Sequence, residues 1–399
     1  MVFYDLINTG KTNAKEQLNT MEKQHILALD YIRGISMLGV LGIHTGAYSL
    51  ANPAVNPHLF ALLEIFTRFS VPIFFFVSAF GLFISQPLQA GFSYPAFLRR
   101  RFKAVLLPYL AWSFLYMLHY TWISGDISLW HSPLIYKYLA FGLASYQLYF
   151  LVILIWFYAL MPCWRQLVRW LLKAPVTGLV SLLTAQILFN YYSSYILTAN
   201  FANHYLNLAV QHRMSFLILH YLFIFVLGAV CAELYPQFLA ALDRNKGRIT
   251  AFFAATLTGM LFFYYYLVYN NHYSLEQAVN TSHQLSPVGV LYTLGATLFL
   301  FTAFSKPLPA AVANGLGCLG KYSYLVYLVH PLVMYYLILE LTQTGIQLTA
   351  PVTIAFYLAT LGLSTGTAAL INKAGSLIPL LSLALTGAFP KQRTFRQKA

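Results

Sequence analysis

From residue 26 to residue 372 the chain is a succession of apolar runs, each closed off by proline, glycine, asparagine or charge. Each run is about 20 residues long, enough to cross the hydrocarbon core of a bilayer as a helix. No water reaches backbone N–H and C=O groups at that depth, so a single crossing segment closes its hydrogen bonds within itself as an α-helix. The expected fold is therefore all-α, a polytopic membrane protein of ten spans at 26–49, 59–84, 104–124, 146–163, 175–196, 214–233, 249–270, 286–305, 321–341 and 351–372. The fifth is the least regular, because Gln186, Asn190 and the run "NYYSSY" dilute it. Composition agrees: 59% of residues are hydrophobic and 9% charged, against about a quarter charged in a soluble domain. One membrane domain, 26–372, is expected between a polar tail, 1–25, and a basic C-terminal segment, 373–399, which is read as partly an interfacial helix. The first 24 residues lack the apolar core of a signal peptide, and retention of the N-terminus is expected.

The formal charge of +14 raises the question of nucleic acid, and its distribution answers it. Lys11, Lys15 and Lys23 precede span one, and Arg99, Arg100, Arg101 and Lys103 follow span two. Arg165, Arg169 and Lys173 follow span four; Arg244, Lys246 and Arg248 follow span six; Lys306 and Lys321 follow span eight. Lys373, Lys391, Arg393, Arg396 and Lys398 close the chain, while the alternate loops hold only Lys137 and Arg213. That asymmetry is the positive-inside pattern, placing both termini in the cytoplasm of a multi-pass plasma-membrane protein. The charge then serves topology and contact with anionic membrane lipids rather than nucleic acid. Cys163, Cys231 and Cys318 fall at cytoplasmic positions, where disulfides are not expected.

Polar groups inside the spans carry the functional signal. Arg33 and His44 lie eleven residues apart in "LDYIRGISMLGVLGIHTG". At 100° per residue that is about 20° past three turns, so they share one helix face, roughly 16 Å apart along the axis. Either Arg33 pairs with Asp30 or a lipid phosphate and His44 bonds a neighbouring helix, or both line a cavity crossing much of the bilayer. Glu64 and Arg68 have the i,i+4 spacing of an ion pair at the depth of His44. Pro72 should kink span two and free carbonyls toward a cavity. Ser78 has no acid partner or nucleophile-elbow motif near it. The basic run "FLRRRFKAVLLPY" serves either as topology anchor or as a phosphate site. In span nine His330 lies near mid-membrane, followed by Pro331 in a helix-breaking context. The remaining histidines form no trusted metal-ligand spacing, and no metal is expected.

Four of these pieces, in order, resemble the motifs of the acyltransferase 3 family of integral membrane acyltransferases. "LDYIRGISMLGVLGIH" is similar to its "LDxLRGIA…H", "VPIFFFVSAFGLF" to its "VPxFFxxSGF", "FLRRRFKAVLLPY" to its "FxxRRxxRxxxPY", and "LGKYSYLVYLVHPL" to its "LGxxSYxIYLxHxP". Two departures stand out. The Ser-Gly-Phe of the second motif appears as Ser78-Ala79-Phe80 with Gly81 displaced, and Lys103 stands where arginine is common. The "RFSVPIFFF" form is similar to the branch that modifies surface polysaccharides or lipid-linked glycans.

The resemblance implies transfer of an acyl group, acetyl as the expected case, from cytoplasmic acyl-CoA to a hydroxyl of a cell-envelope glycan or lipid-linked sugar. No bound cofactor is expected; acetyl-CoA is a substrate. It implies His44 as general base, Arg33 binding donor phosphate or stabilising developing charge, and Glu64 orienting His44. Arg99, Arg100, Arg101 and Lys103 would hold the nucleotide end of CoA. Arg68, Ser78, Tyr324 and His330 would line the substrate pocket, with Tyr146 and Tyr149 as tyrosines able to stack on sugar rings. The competing class is a polysaccharide or small-solute transporter or exporter. Transporters often carry internal repeats, and "RGIS…H" and "SYLVYLVHPL" are not related copies.

Overall fold

Helix α1, Leu27–Ser49, carries more glycine than a helix interior tolerates on propensity alone. The computed structural model, which describes residues 26–389, explains why. On one face α1 crosses the 34-residue helix α12, Ala310–Gln343, backbone against backbone. A Cβ on Gly34 would run into the Leu316 carbonyl, and one on Gly320 into the Asp30 carbonyl. Small residues of this kind let transmembrane helices approach closely and gain dispersion contact where lipid offers no hydrophobic driving force.

The other face of α1 meets α2, Pro57–Ser85. This helix is not regular. It contains a π-turn at Ala61–Ile65 and a loosened stretch before Pro72. Ser70 N–H donates to the Thr67 carbonyl rather than that of Phe66. The Phe66 carbonyl thereby freed accepts from the Tyr292 hydroxyl at 2.6 Å, and the Leu63 carbonyl accepts from Thr67 Oγ1 at 2.5 Å. The distortion expected from Pro72 is present, and the freed Phe66 group goes to a neighbouring helix rather than to a cavity.

The basic helix α3, Tyr94–Arg101, leads through a second π-turn, Phe102–Leu106, into α4, Leu107–Ser124. Helix α5, Tyr149–Ala159, then bends by 70° into α6, Met161–Leu171. This bend, like the later one of 101°, lies two residues before a proline, here Pro162, whose missing N–H cannot continue the ladder. Helix α7, Pro175–Tyr191, follows. Its Gln186 and Asn190 are buried: Gln186 Nε2 donates to Asn190 Oδ1 at 2.8 Å and to the Leu219 carbonyl at 2.6 Å. The diluted span is thus a polar helix–helix junction. Helix α8, Ile218–Glu233, buried on nearly all sides against α2, bends by 101° into α9, Tyr235–Arg244.

The second half comprises α10, Lys246–Tyr269, α11, Pro287–Phe304, α12 and α13, Ala350–Leu377. Helices α10 and α13 expose apolar side chains such as Phe262, Leu358 and Leu370 along their length, as lipid-facing helices do. Pro331 does not break α12, which runs through it. The short helix α14, Pro379–Thr386, turns back onto α4, where Trp112 Nε1–H donates to the Leu385 carbonyl at 3.1 Å. It ends at Gly387, φ 71°, which sits against the Ala104 backbone where a side chain would not fit.

All ten apolar segments are helical, and among the described residues no strand occurs. Six helices are long and apolar enough to cross a membrane, or eight if each bent pair is one span. Helices α4 and α7 fall short of that measure, α4 because it is rich in tyrosine and tryptophan, α7 at 17 residues. The tail 1–25 and the basic residues Lys391, Arg393, Arg396 and Lys398 lie outside the described residues.

The α1–α12 contact yields a direct test. Gly34→Ala and Gly320→Ala should each cost about 1–3 kcal/mol through overpacking, lowering the thermal midpoint of the detergent-solubilised protein. Gly362→Ala on α13, where nothing lies within 4 Å, should not. Equal midpoints for all three would show that the crossing does not need glycine.

Candidate functional site

A cavity of about 510 Å³ lies between α1, α2, α5 and α12. Along α2 its wall is a helical stripe including Arg68, Phe74, Ser78, Gly81, Leu82 and Ser85, in which Ser78 is three and four residues before Gly81 and Leu82, and these four and three before Ser85. Arg68 to Ser85 covers seventeen residues, about 26 Å of rise, close to the roughly 30 Å of a hydrocarbon core. From α1 come Arg33, Val40, Ile43 and His44, the stripe that the eleven-residue spacing demands. Both alternatives for Arg33 hold together: Nη1 pairs with Asp30 Oδ1 at 2.8 Å, and the side chain still lines the cavity.

At the Ser85 end the cavity receives Arg101, whose guanidinium lies 5.7 Å from the Tyr158 ring and 5.6 Å from Phe97. Gly81 is beside it in the wall, and a Cβ there would stand 3.9 Å from Arg33 Nη2. Arg99, Arg100 and Lys103 are exposed and do not reach the cavity. Successive residues on a helix point 100° apart, so one arginine of the run faces inward and its neighbours face out. Ser78 is on the wall with its hydroxyl 3.0 Å from that of Tyr158.

At the other end stand His44, Arg68, Gln147, Tyr149 and Gln284. Arg68 Nη2 is 2.8 Å from Glu64 Oε2, the ion pair read from the spacing, and Nη1 donates to Gln284 Oε1 at 3.4 Å. Glu64 is buried and is not part of the cavity wall; it packs against Gly46 rather than bonding His44. The expected orienting contact from Glu64 to His44 is therefore replaced by rings. The His44 ring lies 4.4 Å from that of Tyr146 and 5.2 Å from that of His330, nearly parallel to the latter at 24°. His330 is fully buried behind His44 rather than on the wall. Its Nδ1–H donates to the Val326 carbonyl at 3.1 Å, which leaves Nε2 as a lone pair with no partner.

Tyr324 lines the middle of the cavity with its hydroxyl buried and unpartnered. Tyr327, also on the wall, donates to the Gln147 carbonyl. Gln147, Gln284 and Tyr158 lie outside the motif positions, whereas Tyr327 is the second tyrosine of the fourth motif. The signal for the two glutamines is modest: an amide beside the start of an apolar run, in "SYQLY" and "SHQLSP". The departure at Ala79 does not touch the cavity, since Ala79 is fully buried on the opposite side of the stripe. Among the described residues no three His, Cys, Asp or Glu side chains converge as a metal-ligand group.

Chemically, the site presents fixed cations at both ends, a histidine partway in, and hydroxyl and amide donors between. It can hold a long anionic ligand from one end and move a proton at the other. A family model described as an acyltransferase domain matches residues 26–371, nearly the whole of the helical region. No curated protein and no solved structure matches the chain. With that match over the four motif segments and the cavity they enclose, the chain belongs to the acyltransferase 3 family and is a multi-pass membrane acyltransferase.

Proposed function

We propose that the cavity is a transfer chamber for an acyl-CoA-dependent O-acyltransferase of the plasma membrane. The observation that carries this reading is that one cavity, about as long as the bilayer core is thick, joins Arg33 and Arg101 to His44 and Arg68. Acyl-CoA enters from the cytoplasmic face, where Arg33 and Arg101 hold its phosphates by charge-assisted hydrogen bonds. The pantetheine arm follows the Ser78–Tyr324 wall and brings the thioester to His44. An acceptor hydroxyl loses its proton to His44 as its oxygen attacks the thioester carbonyl carbon. The negative charge gathers on the former carbonyl oxygen, and Arg68, at the same end of the cavity as His44, donates to it. Collapse expels the CoA thiolate, which takes the proton back from the imidazolium. His330, its Nδ1–H donated to the Val326 carbonyl, stacks against His44 and holds its ring in place. The family supports an acetyl group as cargo and a cell-envelope glycan or lipid-linked sugar as acceptor.

Release of CoA thiol from acetyl-CoA by the purified protein, with and without cell-envelope glycan, tests the reading. Glycan should stimulate release, and His44→Ala should lower stimulated turnover by about 10²–10⁴, the range of a lost general base, while acetyl-CoA binding persists. Glycan movement in proteoliposomes with no acyl donor, and no thiol release from any donor, would promote the exporter reading instead.

The basic run gives a second outcome. Arg101→Gln should raise the KM for acetyl-CoA about tenfold, the equivalent of about 1.4 kcal/mol. Arg99→Gln and Arg100→Gln, whose side chains point away from the cavity, should each change it less than about threefold. Equal effects from all three would mean that the run acts as a diffuse charge and that Arg101 has no special place.

A further inference from the structure

A second cavity of about 310 Å³ adjoins the first at its His44 end, and the two share Tyr149 and Gln284 as a common wall. Its other walls include Tyr221, Met214, Ser215 and His283. These residues come from the start of α8, the short helix Arg213–Phe216 and the connection before α11, all at the end remote from the basic helix α3. We propose that this cavity is the acceptor vestibule, and that it takes a single neutral sugar residue whose hydroxyl passes Gln284 to reach His44. The inference rests on the acyl-transfer reading of the larger cavity.

Three features carry it. The size is at the low end of ligand pockets, suited to one ring and not to a folded chain. The lining pairs aromatic faces, Tyr149 and Tyr221, with short polar groups, Ser215, His283 and Gln284, the combination that accepts both the C–H face and the hydroxyls of a sugar. No carboxylate, lysine or arginine is on its wall. The adjacent cation, Arg213, is committed to carbonyls: Nε to Ser193 at 2.9 Å, Nη1 to Val210 at 2.6 Å and Nη2 to Leu197 at 3.2 Å. His283 Nδ1 accepts from Leu285 N–H at 3.0 Å, which puts its proton on Nε2. Burial, and then the charge of Arg68, pull that ring down to about 4, so it is uncharged at neutral pH. An anionic sugar would find no cation on this wall to pair with: Arg68 stands behind Gln284 and is already paired with Glu64 at 2.8 Å.

The threshold is also built to yield. Gln284 touches Arg68 on one side and the Tyr221 hydroxyl on the other, each at 3.4 Å. Contacts of that length are weak, so an incoming hydroxyl can replace the amide beside Arg68 at little cost.

The test uses the full-length protein, acetyl-CoA, and cell-envelope glycan separated by anion exchange into neutral and anionic pools. Each pool is divided into lipid-extractable and water-soluble fractions. Thiol release should be stimulated by a neutral fraction, lipid-linked or soluble, and at least tenfold less by the anionic ones. Ser215→Trp, which fills the vestibule, should lower stimulated turnover at least tenfold while the Kd for acetyl-CoA stays within about twofold, the latter also showing that the variant is folded. Stimulation by the anionic pool alone, or full stimulation of a folded Ser215→Trp protein, overturns the vestibule and leaves acyl transfer standing. No release with either pool overturns the acyl-transfer reading and this inference with it. The comparison of pools on the wild-type protein decides the charge question even if Ser215→Trp fails to fold.

Discussion

Arg33 and Arg68, the cavity-lining arginines of α1 and α2, are each paired with a carboxylate one turn earlier on the same helix, Asp30 for Arg33 and Glu64 for Arg68, both at 2.8 Å. A charge in hydrocarbon is costly unless it is paired or wet, and here each is both: one side of the guanidinium meets its acid and another faces the cavity. Pairing within a helix has a structural advantage over pairing between helices. The cation does not depend on a distant element to be tolerated, so the cavity can remain open between α1 and α2 without stranding a charge. The acid–arginine pairs at either end are thus what allow a polar tunnel to exist inside an apolar bundle.

That tunnel also needs a wall that does not fill with side chains, and α1 supplies it by dividing its surface. Arg33, Val40, Ile43 and His44 face the cavity, while Gly34 meets the backbone of α12, and Gly39, Gly42 and Gly46 meet Ser70, Leu63 and Glu64 of α2. The polar stripe was legible in the sequence because it follows from the helical period alone: eleven residues fix two side chains on one face whatever surrounds them. The glycines are written in the same eighteen residues, but the meaning of Gly34 depends on its meeting Leu316, as that of Gly320 depends on Asp30, contacts between chain segments almost 300 residues apart.

The same distinction separates the site residues that motifs reach from those they miss. Glu64–Arg68 is local and was readable from its spacing. Gln147 and Gln284 enter the cavity from connections whose course is set by α5 and α11, and no local period points to them. Of the three consecutive arginines, the sequence has no means of choosing one; the choice of Arg101 is made by where α3 docks, with Phe97 buried beneath it and Tyr158 beside it. His330 was legible as an intramembrane histidine, yet its position behind His44 depends on how α12 crosses α1. The number of spans is the least legible feature, because α4 and α7 are marked by tyrosine, tryptophan and amide groups that lower apolarity while serving packing.

The displaced glycine of the second motif shows how a departure in sequence is absorbed by geometry. A helix wall repeats at intervals of three and four, and the cavity positions of α2 run through Ser78, Gly81, Leu82 and Ser85. Position 79 is off that stripe, fully buried, so the methyl of Ala79 packs into the core and takes nothing from the cavity. Gly81 is on the stripe near Arg33, where a Cβ would meet Nη2 at 3.9 Å, an ordinary van der Waals contact. At this end of the cavity Arg33 is held by Asp30, and Arg101 lies against two aromatic rings. Two guanidinium groups held by different partners at one end of the cavity are preorganised to meet an anion, and preorganisation of this kind lets binding energy go into placing a ligand rather than into ordering side chains.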